Sequence, residues 1–415
     1  MDLVFRNARL AEARPADPLV DIAVEGGRIA AIGPKLDVHG PERDLAGALT
    51  CAGLVECHIH LDKAHIFDRT APETGRNADS VRRTSAAKHS FAAEDVHIRA
   101  SKVLARTGAQ GTARIRTQLE LDPIVDMRGF EGVTQAIRDF ADLIDVEICV
   151  FPEEGLTNNP GTDELLVAAL EKGVRVIGGA PGADTDRQGQ LERIFELARA
   201  YDCDIDLHID FGNDASELDL ERVLRLTERD KMGGRVAMAH VTKLSTLPLA
   251  EQNAIARRLA DAGIAIAVLP ATDSFLMGRD QTDNVRRGVV DGHMLIRQGM
   301  NATVGSNNIV NAFTPFGDCS LVRLANFYAH IVQVSTDDDM RTLWEMITTR
   351  AARMMNLRDY GLAVGNPADL VVMDTADPVQ AIREVRQPVM AFKRGRLTLD
   401  WPKPRLIGGP RPTAT

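Results

Sequence analysis

His58 and His60 stand two residues apart inside the stretch Gly53-Leu-Val-Glu-Cys-His-Ile-His-Leu-Asp-Lys63. Leu54, Val55, Cys57, Ile59 and Leu61 make the surrounding run apolar, which reads as a short buried strand. Side chains at i and i+2 of a strand leave the same face, with Cα atoms roughly 6.5–7 Å apart. Two imidazoles so placed can converge on one metal ion. The alternative is a hydrogen-bonded pair of core histidines, and it requires both polar rings on one buried face to find partners.

Other chemistry-bearing residues interrupt later apolar runs at their C-terminal ends. They are Arg116, Gln118 and Glu120; Glu153 and Glu154; His208 and Asp210; His240; Asp273; and Asn307 and Asn308. His58, His60 and His208 form a three-histidine set suited to one divalent ion, zinc or iron, with open coordination positions. Such an ion lowers the pKa of bound water to about 7 and polarises a carbonyl or ring C=N group. Hydrolysis then requires a base for the water proton and an acid for the leaving nitrogen. Lys63, just past the first strand, and His240, ending the sixth, are placed for proton handling. On its own Lys63 would read as a solvated loop lysine; its position three residues beyond a histidine pair favours a role. His39, His65, His89, His97, His293 and His330 fall in helices or loops and receive no role.

The elements that must position these residues alternate. Strand candidates recur at 54–61, 113–121, 145–152, 174–180, 204–210, 235–241, 264–270 and 301–307. Helix-like stretches lie between them: Asp95–Thr107, Thr134–Leu143, Asp163–Glu171, Gln190–Ala200, Leu218–Glu228, Pro248–Ala262 and Asp283–Gln298. Strand–helix alternation implies a parallel sheet, and eight such units fit an α/β (β/α)8 barrel. No G-x-G-x-x-G turn follows the first strand, which disfavours a doubly wound dinucleotide fold. In a barrel the polar residues at the strand ends meet on one face. Both termini are β-rich: Leu3–Phe5, Ile22–Val24 and Ile29–Ile32 at one end, and Leu370–Met373, Val389–Phe392 and Leu397–Leu399 at the other. Residues 1–52 and 362–415 are therefore expected to build one small β-sandwich domain, and 53–361 the barrel.

Composition narrows the class. The 415 residues are 44% hydrophobic and 26% charged, as in a globular protein. No apolar run approaches the roughly 18 residues a membrane span needs. Met1-Asp-Leu-Val-Phe-Arg-Asn7 lacks the basic start and apolar core of a signal peptide, so a cytoplasmic location is expected. Five cysteines without a C-x-x-C pair give no disulfide framework or cysteine zinc site. A net charge of −10 argues against a nucleic-acid or anionic-membrane partner.

The chain resembles the amidohydrolase superfamily, in particular its cytosine deaminase-like branch, and is closest in motif to the N-isopropylammelide amidohydrolases. The matching residues are Val55–Lys63, Arg116-Thr-Gln118, Phe151-Pro-Glu-Glu-Gly155, Asp206-Leu-His208, Ala239-His240, Val304-Gly-Ser-Asn-Asn-Ile309, Pro315-Phe-Gly317 and Tyr360–Val372. The resemblance implies a distorted barrel, a small β-sandwich from both termini and one divalent metal. It also implies C–N hydrolysis on a small nitrogen heterocycle, and by analogy a homo-oligomer. By motif, His58, His60 and His208 look like metal ligands, and His240 like a histidine that contacts substrate and proton.

Three departures matter. Where the family has an aspartate that binds metal and deprotonates water, this chain has Asn307, a neutral carboxamide that coordinates through oxygen but accepts no such proton. Three explanations stand open: a substituted active enzyme, a natural variant with another base, or a silent relative that only binds. Phe211 occupies the position of a proton-shuttling glutamate, which leaves its traffic to Lys63 and His240. Glu153 replaces a substrate-contacting glutamine and would suit a ring edge with two N–H donors; the plainer reading is a loop glutamate paired to an arginine. Gln118 and Asn308 complete the candidate substrate contacts. The expected reaction is deamination or deamidation of an aminopyrimidine, triazine or pterin. A ring-opening cyclic amidase is the enzyme alternative.

Overall fold

In the computed structural model, which describes residues 1–14 and 16–402, eight strands follow one another in parallel. They are β1 (Leu54–Ile59), β2 (Thr112–Glu120), β3 (Asp145–Phe151), β4 (Val176–Gly179), β5 (Asp204–Ile209), β6 (Val236–His240), β7 (Ile264–Val268) and β8 (Asn301–Val304). Their spatial order is their chain order. The ring closes just past β8, where a parallel bridge pairs Ile59 with Asn307. There Asn307 N donates to His58 O and His60 N donates to Asn307 O, each at 2.8 Å. Every residue of β1, β6 and β7 is buried, as expected of strands covered on both faces. Ala237, Ala239, Ala265 and Ala267 cluster with Val55 and Cys57 of β1, which lies beyond β8, so these small side chains fill the barrel interior.

The helices Thr162–Glu171, Arg187–Ala200, Leu220–Asp230 and Leu249–Asp261 follow β3 to β6, close to the spans expected from periodicity. Arg128–Asp139 begins and ends earlier than the expected Thr134–Leu143, and Gly132 within it lets a neighbouring helix approach closely. A Cβ on Gly132 would stand 2.4 Å from Ala93 O of the neighbouring helix Ala93–Ala109. The expected helix Asp283–Gln298 is corrected: only Gly292–Arg297 is helical. Asn284 and Gly288 have φ of +48° and +66°, which breaks a right-handed helix, and Asp291 caps the short segment through Met294 N at 3.0 Å. A helix with no expected counterpart, Asn77–Lys88, precedes Ala93–Ala109. Its buried residues are Asp79, Ser80, Thr84, Ala87 and Lys88, so no apolar stripe marks it in the sequence.

The second sheet takes strands from both ends of the chain. Its order is Arg396–Asp400, Pro388–Lys393, Leu370–Met373, Leu49–Ala52, Leu3–Leu10, Val20–Glu25 and Arg28–Gly33, with Glu42–Asp44 paired to Leu3–Leu10. Leu3–Leu10 is shared between two ladders that face each other: Phe5 meets Phe392 edge-on, with centroids 4.7 Å apart. Ile22, Val24, Ile29, Leu370 and Val372 complete that core. Pro15 and residues 403–415 of the expected terminal spans lie outside the described residues. No helix among the described residues is long and apolar enough to cross a membrane.

Candidate metal centre and substrate cavity

The imidazoles of β1 and β5 meet at the C-terminal mouth of the barrel. His58 Nε2 lies 3.1 Å from His208 Nε2, which lies 3.2 Å from His60 Nε2. Pairing of β1 with β2 shifts register between Glu56 and Ile59, yet both rings still converge. Burial lowers the pKa of all three histidines, those of His60 and His208 well below the usual value. Neutral rings keep their lone pairs, and three lone-pair nitrogens facing one point need a shared electron acceptor. All three Nδ1 atoms also lack a hydrogen-bond partner. Asp206 Oδ1 stands 3.6 Å from His58 Nδ1, and its Oδ2 accepts from Arg116 at 3.1 Å, the arginine itself bonded to Glu147 at 2.7 Å. Phe151 stacks on His208 at 4.5 Å and 13°. This donor set fits one divalent ion.

Beside it His240 Nδ1 meets Asp273 Oδ1 at 2.6 Å, both groups being buried. The carboxylate accepts the Nδ1 proton and leaves Nε2 as the nitrogen with a free lone pair. Asn307 Nδ2 donates toward that Nε2 at 3.4 Å, while its Oδ1 has no partner. His240, Val241, Asp210 and Asn307 all have left-handed backbones, with φ of +70°, +50°, +51° and +61°. Left-handed residues break strand alternation where side chains must turn into the mouth, at a cost of about 1–3 kcal/mol each.

Lys63 is only 2% exposed, so the solvated-loop reading fails. Its ammonium donates to Glu120 Oε1, lies 3.8 Å from Glu153 Oε2, and faces the ring centroids of Phe313 at 4.7 Å and Phe151 at 5.8 Å. Burial alone would lower its pKa, but Glu120, Glu153 and Asp62 outweigh that and raise it. Lys63 is therefore a cation and hydrogen-bond donor, not a base. Burial raises Glu153 to about 6 against the pull of Lys63. Its ion partner is thus a lysine, not the arginine of the plainer reading.

These groups line one cavity of about 640 Å³, whose wall includes His60, Lys63, Glu153, Glu154, His208, Phe211, His240, Asn307 and Asn308. Phe211 stands edge-on to His240 at 5.2 Å. Asn308 Oδ1 accepts from Asn311 Nδ2 at 2.7 Å, which fixes the amide at the rim. Gln118 is fully buried and lies outside the cavity lining, with both amide atoms unpartnered. Arg116 and Glu120, on the same strand face, reach Asp206 and Lys63, so Gln118 points into the barrel interior between them.

The amidohydrolase family matches residues 102–398, most of the chain. The chain belongs to that family. His58, His60 and Lys63 precede the matched span, so their geometry is independent of it. The N-isopropylammelide isopropyl amidohydrolase of Pseudomonas sp. (strain ADP) is 26% identical over 409 residues, covering 95% of this chain and 96% of that one. The pterin deaminase of Rhizobium rhizogenes is 27% identical over 385 residues, covering 91% and 87%. The crystal structure of Klebsiella pneumoniae 5-methylcytosine deaminase with 5-fluorocytosine superposes with a TM-score of 0.91 at 26% identity, covering 98% of this chain and 99% of that one. This amidohydrolase is a metal-dependent hydrolase of C–N bonds.

The structure gathers His58, His60, His208, His240, Asn307, Lys63, Glu153 and Asn308 of the amidohydrolase into one site. Sequence reasoning assigned no role to Asp273, Glu120 or Lys88. Asp273 and Glu120 carried a signal as polar residues at strand ends, and Lys88 carried none. The mouth also depends on Asp184, which accepts from Leu156 N (2.7 Å), Thr157 N (2.9 Å), Gln190 Nε2 (2.9 Å) and Asp186 N (3.1 Å). Burial alone would raise its pKa, but these donors and the Thr157 hydroxyl hold it at about 2. Its stabilisation is complete above the unfolded value of 3.8 and is lost as pH falls through about 2. Asp184→Asn should lower unfolding stability at neutral pH by about 1–3 kcal/mol. Urea midpoints measured downward in pH should converge with the parent only below 3.8.

Proposed function

We propose that the chain removes ammonia or an amine from a small nitrogen heterocycle of the aminopyrimidine, aminotriazine or pterin type. His58, His60 and His208 would hold one zinc or ferrous ion, with Asn307 Oδ1 available as a neutral fourth donor. The observation that carries this reading is the convergence of three neutral imidazoles at a cavity that also bears a carboxylate and an ammonium. The relatives are named for an ammelide, a pterin and a methylcytosine, all nitrogen heterocycles, which supports the ring class.

When bound, such an ion supplies Lewis-acid polarisation and makes water nucleophilic near neutral pH. The remaining work falls to this chain's residues. As water adds to the ring carbon, His240 Nε2 takes its proton and Asp273 stabilises the resulting imidazolium. The proton then passes to the exocyclic nitrogen, the C–N bond breaks, and the ring keeps the oxygen. Lys63 donates to the ring or leaving group from a fixed position. Glu153 offers two acceptors to a ring edge with two N–H donors, and Asn308 adds an amide contact, whereas Gln118, expected to do the same, lies off the cavity wall. Asn307 takes no proton. A cytoplasmic homo-oligomer belongs to the same proposal and is checked by light scattering and fractionation.

The test is a screen for released ammonia or amine over aminopyrimidines, aminotriazines, pterins and cyclic amides, using metal-loaded chain and Asn307→Asp in parallel. Release from one ring class is expected. Silence of both proteins on every ring would defeat the proposal, and ring opening without ammonia would make the chain a cyclic amidase.

A further inference from the structure

The helix Asn77–Lys88 walls the cavity with Asn77, Ala78, Val81, Arg82 and Ser85, a single helical face. Lys88 continues that face one turn beyond Ser85 and is 2% exposed. No large apolar side chain is buried on this helix, so its seat is polar. Toward its start Asp79 accepts from Glu73 N and Thr74 N at 2.7 and 2.8 Å, and Ser80 Oγ donates to Ala312 O at 2.9 Å. At its end the Lys88 ammonium meets three carboxylates: Glu120 Oε2 at 2.6 Å, Asp122 Oδ2 at 2.8 Å and Glu154 Oε1 at 2.7 Å. The ammonium donates to Asp122 and Glu154 and holds Glu120 as an ion pair.

Glu120 is the shared member. Its Oε1 accepts from Lys63 and its Oε2 lies 2.6 Å from the Lys88 ammonium as an ion pair, so one buried carboxylate bridges the helix to the ammonium that faces the cavity. We propose that Lys88 is a positioning residue that, through Glu120, fixes the place and charge environment of Lys63 and Glu153. This rests on the proposed reaction only in so far as Lys63 and Glu153 face a substrate.

The charge count explains why the second lysine is required. The groups facing Glu120 are Lys63 and Asp62 from the segment after β1, Glu153 from the segment after β3, Lys88 from the helix, and Asp122 and Glu154 across Lys88. Those facing Glu153 are Lys63, Glu120, Lys88 and His240. Five carboxylates thus surround two ammoniums. Without Lys88, Glu120 would draw on Lys63 alone, Asp122 and Glu154 would lose their cation, and Glu120 and Glu153 would take up protons at higher pH. Burial alone would raise Glu120, yet the two lysines hold it down at about 2, which agrees with this balance.

The experiment compares Lys88→Met, Lys88→Arg and Glu154→Gln by the pH dependence of kcat/KM on the ring that the parent turns over. Lys88→Met should lose about 10- to 100-fold in rate. Its acid limb should move up by about one pH unit. Lys88→Arg, which keeps the charge, should restore most of both. Glu154→Gln removes a competitor for Lys88 and should move the limb down, which keeps the inference testable if Lys88→Met does not fold. A merely structural lysine would lower activity without moving the limb, and an unmoved or oppositely moved limb in Glu154→Gln would overturn the inference. The same proteins are titrated by infrared difference spectroscopy, where the protonated-carboxyl band should shift in the same directions. That readout needs no substrate, so a parent silent on every ring defeats the proposed reaction while the band still decides the role of Lys88.

Discussion

Metal-loaded His240→Asn should turn over substrate about 10²- to 10⁴-fold more slowly than the parent, with its bound metal retained. The size of the effect follows from the proposed division of labour, in which Glu153, the carboxylate on the cavity wall, holds the ring edge and His240 takes the water proton. Asn307 is neutral, Lys63 is held charged by Glu120 and Glu153, and Phe211 carries no proton. His240 is the group whose Nε2 lone pair, met by Asn307 Nδ2 at 3.4 Å, faces the cavity while a carboxylate at 2.6 Å holds its other nitrogen. Asp273→Asn should lose a comparable factor, because an amide N–H directed at Nδ1 favours the tautomer with Nε2 protonated. Rates within a few-fold of the parent in both variants would move the base elsewhere. A rate gain in Asn307→Asp together with indifference to His240→Asn would place it at position 307.

His208→Gln should abolish metal retention with little change in fold. The ring supplies the Nε2 that lies 3.1 and 3.2 Å from both other ligand nitrogens, so its loss removes a donor from the centre of the set. Metal affinity should fall by more than the roughly 10- to 100-fold that loss of an outer-sphere partner costs. Dialysed protein analysed for metal checks this directly. Thermal unfolding gives a second readout: zinc should raise the parent's Tm in proportion to occupancy and leave that of the variant unmoved. Asp206→Asn, acting behind His58, should show the smaller outer-sphere loss. A full equivalent of metal retained by His208→Gln would contradict the ligand assignment.

The barrel was legible because each strand is a short apolar run and most helices between them carry an amphipathic period. Leu220–Asp230 and Leu249–Asp261 fell near their expected spans for that reason. Asp283–Gln298 misled because its composition suits a helix, while the left-handed residues Asn284 and Gly288 forbid one. Asn77–Lys88 was invisible because its buried side is polar. In the site, the histidines stood out through spacing and strand position. The pairing of His240 with Asp273, and of Lys63 with Lys88 through Glu120, joins residues distant in sequence, and only the closed barrel brings them together. Gln118 shows the opposite limit: its strand was read correctly, but it lies within the barrel and off the cavity wall.

The most direct test is turnover of metal-stripped chain against added zinc or ferrous ion, read as ammonia or amine released from the best ring of the screen. No release is expected from the stripped chain, then a linear rise that breaks at one equivalent and is absent in His208→Gln at every ratio. Turnover without metal, a break at two equivalents, or equal turnover by His208→Gln would contradict a single catalytic ion held by His58, His60 and His208.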